Sequence, residues 1–226
     1  MERVRVAVLI SGRGSNLQTL IRAARPDFPA EIVHVVSDTP DAPGLAHGRD
    51  AGIPVRVVDR RDHANRAAFE AALESCLREV EAEWVCLAGF MRVLTADFIA
   101  AWPDKILNIH PSLLPAFKGL HTHERVLAAG VRFTGCTVHV VRPAVDDGPV
   151  IAQAVVPVLP DDTVDVLAAR VLEAEHRLYP LALHLVATGK ARVMGDRVEI
   201  NRDLFATSPA LFNPGGKGIE GGVGGG

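Results

Sequence analysis

Short apolar runs alternate with amphipathic segments along the first half of this chain. Runs rich in Val, Ile and Leu, which are typical of strands buried on both faces of a parallel sheet, stand at residues 4–10, 31–37, 55–58 and 84–89. Helices are predicted between them at residues 17–24, 41–51 and 65–82. This alternation predicts an α/β fold, with a doubly wound, mostly parallel twisted sheet and helices on both faces.

The second half of the chain continues this pattern and ends differently. Further strands are predicted at residues 105–109, 133–141 and 150–158, and further helices at residues 95–102, 124–129 and from 163 onward. Pro180 should kink or divide the last of these helices, since proline lacks the amide hydrogen that a helix interior requires. Residues 191–200, with Gly195-Asp196 at their centre, predict a closing antiparallel hairpin.

The length of the chain and its C-terminal composition predict one domain followed by a tail. A chain of 226 residues suits a single α/β domain, which we expect to cover residues 1–205. From residue 208 the sequence is rich in Pro, Gly and Asn, and it ends in a glycine-rich run at 221–226. Such a composition buries too little apolar surface to order itself, so residues 206–226 are expected to form a flexible tail.

Charge and cysteine usage narrow the functional class. The formal net charge of −3 and the scattered basic residues argue against bulk nucleic-acid binding. The N-terminal apolar run is short and enters a glycine turn, so it predicts a first strand rather than a signal peptide, and no apolar run reaches the roughly 20 residues that span a bilayer. Three cysteines without C-x-x-C spacing support neither a disulfide framework nor a thiolate metal site, which suggests a cytoplasmic protein.

Two polar side chains lie at the end of the strand predicted at residues 105–109. Asn108 and His110 are two positions apart, so they point to the same face of an extended chain. Pro111 has no amide hydrogen and restricts His110 to extended geometry, which ends the strand and leaves both side chains at its carboxyl end. Because ligands bind at that end of open α/β sheets, the sequence predicts a functional site there.

The residue types at this strand end favour an acyl-type transfer without a side-chain nucleophile. Histidine is the side chain best suited to carry a proton near neutral pH. An amide such as Asn108 can donate a hydrogen bond to a carbonyl oxygen as that oxygen becomes negative. A carboxylate is expected beside His110, where it would favour the imidazolium, and the best candidate is Asp146 in the turn-rich loop after the strand at 133–141.

A glycine turn follows the first strand and precedes the first helix. Residues 11–16, Ser-Gly-Arg-Gly-Ser-Asn, match neither the dinucleotide pattern G-x-G-x-x-G nor a Walker loop. A strand, a glycine turn and a helix start nevertheless form an anion site, so a single phosphate is a better candidate ligand than a dinucleotide. The alternative is that the glycines only make a tight turn and that Ser15 caps the helix.

Four histidines suggest a metal site that their spacing does not favour. His121 and His123 form an H-x-H pair, and His110 and His139 are two further candidate ligands. No acidic or Cys partner stands at ligand spacing from the pair, so we expect no metal. By pattern alone, His139 is a buried core histidine.

Several motifs of the chain resemble those of the phosphoribosylglycinamide formyltransferases, within the folate-dependent formyltransferase family. They are Asn-x-His-Pro-Ser-Leu-Leu-Pro at residues 108–115, Asp146, Ile-Ser-Gly-Arg-Gly-Ser-Asn at 10–16, Ala-Gly-Phe-Met-Arg-Val-Leu at 88–94 and Gly-Leu-His-Thr-His at 119–123. The resemblance implies a Rossmann-like formyltransferase fold with a phosphate and ribonucleotide site in the N-terminal half and a folate site in the C-terminal half. It also implies formyl transfer from 10-formyltetrahydrofolate to the amine of 5-phosphoribosylglycinamide in purine (IMP) biosynthesis, without a metal.

The resemblance further implies roles for individual residues. Catalysis would rest on Asn108, His110 and Asp146, with His139 in support. The ribonucleotide would be held by Gly14, Ser15, Asn16 and Glu175. The folate would be held by Arg66, Met91, Arg92, Val93, Leu94, Asn108, Arg142, Pro143, Ala144, Val145 and Asp146. Many relatives have Asp-Gly-Gly where this chain has Asp146-Asp147-Gly148, so Asp147 could alter this loop or compete as the carboxylate.

Three other functions stay open at this point. A formyltetrahydrofolate hydrolase would use the same three catalytic residues with water as the nucleophile, but it usually carries a preceding regulatory domain, whereas this chain starts on the first strand. A methionyl-tRNA formyltransferase needs a further C-terminal domain and a basic surface. A non-catalytic nucleotide-binding module would keep the glycine turn without needing all three catalytic residues. The expected partners are small molecules, with no nucleic acid and no membrane, and the expected assembly is a monomer or a homodimer.

Overall fold

A computed structural model of the chain describes residues 2–204, Leu211 and Asn213. Its main sheet consists of β1 (Val4–Ile10), β2 (Ala30–Ser37), β3 (Val55–Val57), β4 (Trp84–Leu87), β5 (Ile106–His110), β6 (Phe133–Val140) and β7 (Val150–Pro157). The strand order is β3-β2-β1-β4-β5-β6-β7. Neighbours from β3 to β5 are parallel, whereas β6 is antiparallel to both β5 and β7. The predicted mostly parallel sheet is confirmed.

Helices cover both faces of this sheet. They are α1 (Ser15–Ala23), α2 (Leu45–Asp50), α3 (Arg66–Glu79), α4 (Ala96–Ala101), α5 (Thr122–Ala129) and α6 (Val164–Ala187). Helices α1, α2, α5 and α6 pack on one face, and α3 and α4 pack on the other. Alternate residues of β1 enter the two cores, Val8 on the first face and Leu9 on the second, and both are fully buried. This two-sided burial explains why the strand is an uninterrupted apolar run.

Side-chain caps fix where three of these helices begin. Asn65, Thr95 and Thr163 each accept a hydrogen bond from the backbone N–H three residues further on, at the starts of α3, α4 and α6 respectively. A cap of this kind satisfies an amide that has no partner within the helix. The helix predicted at residues 95–102 is confirmed as α4, and its cap at Thr95 matters for the site because residues 88–95 connect β4 to α4.

Pro180, which was predicted to kink or divide the last helix, does not divide it. Helix α6 is a single element of 24 residues with Pro180 inside it. An internal proline costs about 3 kcal/mol or more, and the packing on both sides of it offsets that cost. Tyr179 is fully buried, and its hydroxyl donates to the carbonyl oxygens of Leu87 at 3.0 Å and Leu107 at 3.1 Å, which fastens the helix to β4 and β5.

The remaining boundaries differ from the predictions by a few residues. Helix α2 begins at Leu45 rather than at residue 41, and β4 ends at Leu87 rather than at residue 89. The C-terminal hairpin is confirmed as β8 (Ala191–Met194) paired antiparallel with β9 (Arg197–Ile200). The domain limits at 1–205 stay a prediction, and the predicted tail at 206–226, apart from Leu211 and Asn213, lies outside the described residues. Within the described part of the chain, no helix has the length and apolar character needed to cross a membrane.

The strand order creates a crevice at one edge of the sheet. From β1 the chain moves outward through β2 and β3, and it then returns to add β4 and β5 on the other side of β1. Loops therefore leave the carboxyl ends of β1 and β4 in opposite directions. Such a switch point is where open α/β sheets bind ligands, and it lies beside the end of β5 that carries Asn108 and His110.

Candidate active site

A cavity of about 600 Å³ opens at this edge of the sheet. Most of the residues singled out from the sequence line it: Asn16, Met91, Arg92, Val93, Leu94, Asn108, His110, His139, Arg142, Pro143, Val145, Asp146 and Glu175. Gly14, Ser15, Arg66 and Ala144 are not among its lining residues. The structure therefore brings Asn108, His110 and Asp146 together in one cavity, although 38 residues separate Asn108 from Asp146 in the sequence.

His110 ends β5 and has a protein partner at each ring nitrogen. Nδ1 lies 3.3 Å from the Oδ2 atom of Asp146, and Nε2 lies 3.0 Å from the carbonyl oxygen of Phe117. A carbonyl oxygen can only accept a hydrogen bond, so Nε2 carries a hydrogen, and Nδ1 faces the Asp146 carboxylate at an ion-pair distance. His110 is 5% exposed, so these contacts are shielded from water. The carboxylate of Asp146 is thus placed where it can stabilise a positive charge on the His110 ring.

Asp146 is held in place by its own backbone and by the loop before α5. Its φ of 52° is in the left-handed region, which Asp tolerates better than most residues. Its Oδ2 atom also accepts a hydrogen bond from the backbone N–H of Gly119 at 2.8 Å. Asp147 instead forms an ion pair with Lys118, and its side chain is 56% exposed. Asp146 is therefore the carboxylate that faces His110, and Asp147 does not compete for it.

Asn108 and His139 are cross-strand neighbours on β5 and β6. The Nδ1 atom of His139 lies 3.1 Å from the Val140 carbonyl oxygen, so Nδ1 carries the hydrogen. Burial lowers the pKa of His139, which outweighs the opposing effects of the Val140 carbonyl and of Asp146. The neutral ring therefore presents an unprotonated Nε2 atom, and the amide Nδ2 of Asn108 donates to it over 3.3 Å. This contact fixes the orientation of the amide and leaves its second N–H for another acceptor.

The glycine turn adopts the shape expected of an anion site. Gly14 precedes α1 with φ 72°, and among the described residues no side chain caps this helix start. The alternative that Ser15 caps the helix was wrong, because Ser15 is already its first residue. A Cβ atom at Gly14 would lie 2.8 Å from the Cα atom of Gly44, so the turn also requires glycine for space. The start of α1 therefore has the positive end of a helix without a side-chain cap, and the phosphate site stays a prediction.

Asn16 and Glu175 join the glycine turn to the cavity. The amide Nδ2 of Asn16 donates to the Oε2 atom of Glu175 over 2.8 Å, and both side chains are buried. Burial raises the pKa of the Glu175 carboxyl above its ordinary value, and the hydrogen bond from Asn16 opposes this shift without cancelling it. Helix α6 thus contributes a buried carboxyl group with a raised pKa to the cavity lining.

Replacing Glu175 with glutamine is expected to remove a pH dependence of stability. The pKa of Glu175 in the folded protein lies above the unfolded value of 4.5. Its contribution to the free energy of unfolding is therefore fully present below pH 4.5 and is lost as the pH rises through the folded-state pKa. Glutamine does not ionise and still accepts from Asn16. The unfolding temperature of Glu175→Gln minus that of the wild type should increase between about pH 5 and about pH 8. A difference that stays constant over this range would contradict the shifted pKa.

Five of the residues predicted to hold the folate differ in what their side chains contact. Met91, Val93 and Val145 expose apolar side chains at the rim of the cavity. Arg142 lines the cavity, but its Nη2 atom donates to Asp104 at 2.5 Å and to the Gly195 carbonyl at 3.3 Å, which ties the loop to the C-terminal hairpin. Arg66 lines an adjoining cavity of about 340 Å³, which shares Met91, Arg92 and Val93 with the first.

Some contacts at the site were missed by sequence reasoning. The Phe117 carbonyl that accepts from His110 is a backbone atom and leaves no signal in the residue pattern. Asp38, buried at the end of β2, accepts from the Nε atom of Arg92 at 2.6 Å, and a carboxylate directly after a strand could have been noticed. Among the described residues, no group of three His, Cys, Asp or Glu side chains has the arrangement of a metal site.

Comparisons with known proteins agree with this geometry. A family model described as formyl transferase matches residues 4–183. A trifunctional purine biosynthetic protein adenosine-3 from Gallus gallus is 53% identical over 192 residues, which are 84% of this chain and 19% of that protein. A phosphoribosylglycinamide formyltransferase from Haemophilus influenzae is 41% identical over 190 residues, covering 84% of this chain and 90% of that protein.

A solved structure of a similar protein has the same fold as this chain. A glycinamide ribonucleotide transformylase 1 from Symbiobacterium toebii superposes with a TM-score of 0.85 at 46% identity, covering 88% of this chain and 94% of that chain. The chain thus spans about a fifth of the trifunctional relative and nearly the whole of the two single-function proteins.

Proposed function

The chain belongs to the formyl transferase family, and from this premise we propose that it transfers a formyl group from 10-formyltetrahydrofolate to the amine of 5-phosphoribosylglycinamide. The products are formylglycinamide ribonucleotide and tetrahydrofolate, in de novo purine biosynthesis. The observation that supports this proposal most directly is the convergence of Asn108, His110 and Asp146 on one cavity.

The three residues act on the negative charge that forms during the transfer. The neutral amine attacks the formyl carbon, and the carbonyl oxygen becomes an oxyanion. The free N–H of Asn108 donates to this oxyanion, and the positive charge of His110 stabilises it. Asp146 stabilises the imidazolium by its charge, at 3.3 Å from Nδ1. As the adduct collapses, the attacking nitrogen loses one proton, the bond from carbon to the folate nitrogen breaks, and the folate nitrogen takes up one proton, so the transfer consumes and releases no net proton.

His110 can supply this proton only after an exchange of partners. Its Nε2 hydrogen is donated to the Phe117 carbonyl, and its Nδ1 atom faces Asp146. A substrate atom, or a water molecule on it, must therefore replace the Phe117 carbonyl before Nε2 takes part in proton transfer. Phe117 has a φ of 55°, so the backbone that carries this carbonyl is itself in a sparsely populated conformation.

The two substrates are proposed to bind on opposite sides of these residues. The phosphate binds at Gly14, Ser15 and Asn16, where the start of α1 offers backbone amides. Glu175 holds the amine end of the ribonucleotide, on the side of the cavity where Asn16 contacts it. The pterin occupies the apolar wall formed by residues 91–94 and 142–146, since flat apolar sites with few polar anchors suit such a ligand.

A transfer assay tests the proposal and separates it from its alternatives. The chain is mixed with 10-formyltetrahydrofolate, with and without 5-phosphoribosylglycinamide, and tetrahydrofolate, formate and the formylated ribonucleotide are quantified. Formylated ribonucleotide formed at the same rate as tetrahydrofolate is expected. Formate release that does not depend on the ribonucleotide would indicate a hydrolase instead, and the absence of all three products would contradict an enzymatic role. The absence of a metal requirement, the cytoplasmic location and the assembly as monomer or homodimer stay predictions.

A further inference from the structure

Glu70 is a buried carboxylate on α3 that faces the loop between β4 and α4. It is 6% exposed. Its Oε1 atom accepts from the backbone N–H of Thr95 at 2.9 Å and from the Nε atom of Arg66 at 3.2 Å, and its Oε2 atom accepts from the hydroxyl of Thr95. Both oxygens therefore have charged or polar donors, and two of these three donors belong to the last residue of the loop.

The loop at residues 88–95 forms one wall of the cavity. Its start is fixed at the end of β1, where the hydroxyl of Ser11 accepts from the backbone N–H of Met91 at 2.9 Å. Its end is fixed by Glu70 through Thr95, which also caps α4. The residues between these two anchors include Met91 and Val93, whose side chains are exposed at the cavity rim. Glu70 and Ser11 thus hold this wall at two different points.

Glu70 also determines where Arg66 lies. The Nε edge of the Arg66 guanidinium is paired with Glu70 one helical turn away, and its Nη2 atom donates to the carbonyl oxygen of Val93. Arg66 therefore contacts the same wall from its outer side, and its side chain is 49% exposed in the adjoining cavity. A neutral side chain at position 70 would remove the charged partner of the Arg66 guanidinium, which could then move away from the Val93 carbonyl.

We propose that Glu70 is a positioning residue for the folate: by holding Thr95 and Arg66 it fixes the wall at residues 91–94 in the shape that binds the pterin. This inference rests on the proposed function, because it concerns how the co-substrate is bound. Glu70 is not a lining residue of the larger cavity, so it acts through the loop and not on the reacting atoms. Removing the charge of Glu70 should weaken folate binding, whereas the chemical step and the ribonucleotide site should stay unchanged.

The test compares Glu70→Gln with a matched control on the same helix. Glu74→Gln removes an i,i+4 ion pair with Arg78 of 3.3 Å, which lies away from both cavities. For the wild type and both variants, kcat and the two substrate KM values are measured, together with the tetrahydrofolate Kd by calorimetry and the unfolding temperature.

Glu70→Gln is expected to raise both the KM for the formyl-folate donor and the tetrahydrofolate Kd by about tenfold, because one charge-assisted anchor of the loop is lost. Its kcat at saturating folate and its KM for the ribonucleotide should stay within about twofold of the wild type, as should all constants of Glu74→Gln. Unchanged folate constants in Glu70→Gln, or an equal loss in kcat and in both KM values, would overturn the proposal. A wild type without transfer activity would instead refute the proposed function, and tetrahydrofolate binding would still report on Glu70.

Discussion

Replacing His110 with alanine is expected to lower kcat by about 10²- to 10⁴-fold, the range for removal of a positioned acid or base. The variant loses the positive charge beside the oxyanion and the hydrogen on Nε2 that the proposed proton transfer uses. The affinity for 5-phosphoribosylglycinamide should change little, since the glycine turn and α1 belong to other elements. The measurement is kcat with both substrates saturating, together with the ribonucleotide Kd by calorimetry.

A variant of Asp146 tests the charge of the pair formed by His110 and Asp146 separately from its packing, and a variant of His63 serves as the control. Asp146→Asn keeps the size of the side chain and suits the left-handed backbone at φ 52°, so it removes mainly the charge. A loss in kcat of about 10- to 100-fold is expected from the missing charge-assisted contact. His63→Asn is the control, because His63 packs on Phe69 with a ring distance of 5.9 Å and lines neither cavity. Near-normal turnover in both His110→Ala and Asp146→Asn would rule out the proposed mechanism.

The elements of the fold that follow from local pattern were predictable from the sequence. Strand β1 is buried on both faces along most of its length and is therefore almost entirely apolar, and β5 ends at His110 because Pro111 cannot continue a strand ladder. The predicted carboxyl-end site, with Asn108 and His110 on one face, follows from the period of a strand and from the direction of parallel strands.

Features that depend on contacts between distant elements were not predictable. Asp146 rather than Asp147 faces His110 because the backbone of Asp146 is left-handed and because Asp147 pairs with Lys118. Neither feature can be recognised from the amino-acid sequence around residue 146. Pro180 was expected to kink or divide α6, yet α6 continues through it as one helix, because the burial of Tyr179 against β4 and β5 offsets the local cost. Glu70 was not singled out from the sequence, because its partner Thr95 is 25 positions further along the chain.

The role of His139 could be predicted only in part from the sequence. Its burial was expected from the strand pattern, and the resemblance implied a supporting role, but its link to Asn108 depends on the register of β5 and β6. Because the Val140 carbonyl fixes the hydrogen on Nδ1, the Nε2 atom can serve only as an acceptor while the ring is neutral. His139 is thus suited to orient an amide donor and not to carry a proton during the transfer.

Replacing Asn108 with alanine is therefore expected to lower kcat by about 10²- to 10³-fold, the loss typical of removing one oxyanion donor. One N–H of the Asn108 amide is donated to His139, and the other is the donor proposed for the oxyanion. Asn108→Asp has nearly the same size but replaces the donor with a negatively charged acceptor, so it should lose still more activity than the alanine variant. Steady-state kcat for both variants, measured at saturating folate and ribonucleotide, checks this order.

The comparison of the two variants distinguishes hydrogen-bond donation from packing. If Asn108 only fills space beside His139, the aspartate should be the milder change, because it preserves volume and alanine leaves a gap. If Asn108 stabilises an oxyanion, the aspartate should be the more severe change, because a carboxylate repels the charge that forms in the transition state. A kcat for Asn108→Asp above that of Asn108→Ala would therefore count against the oxyanion role and favour a packing role.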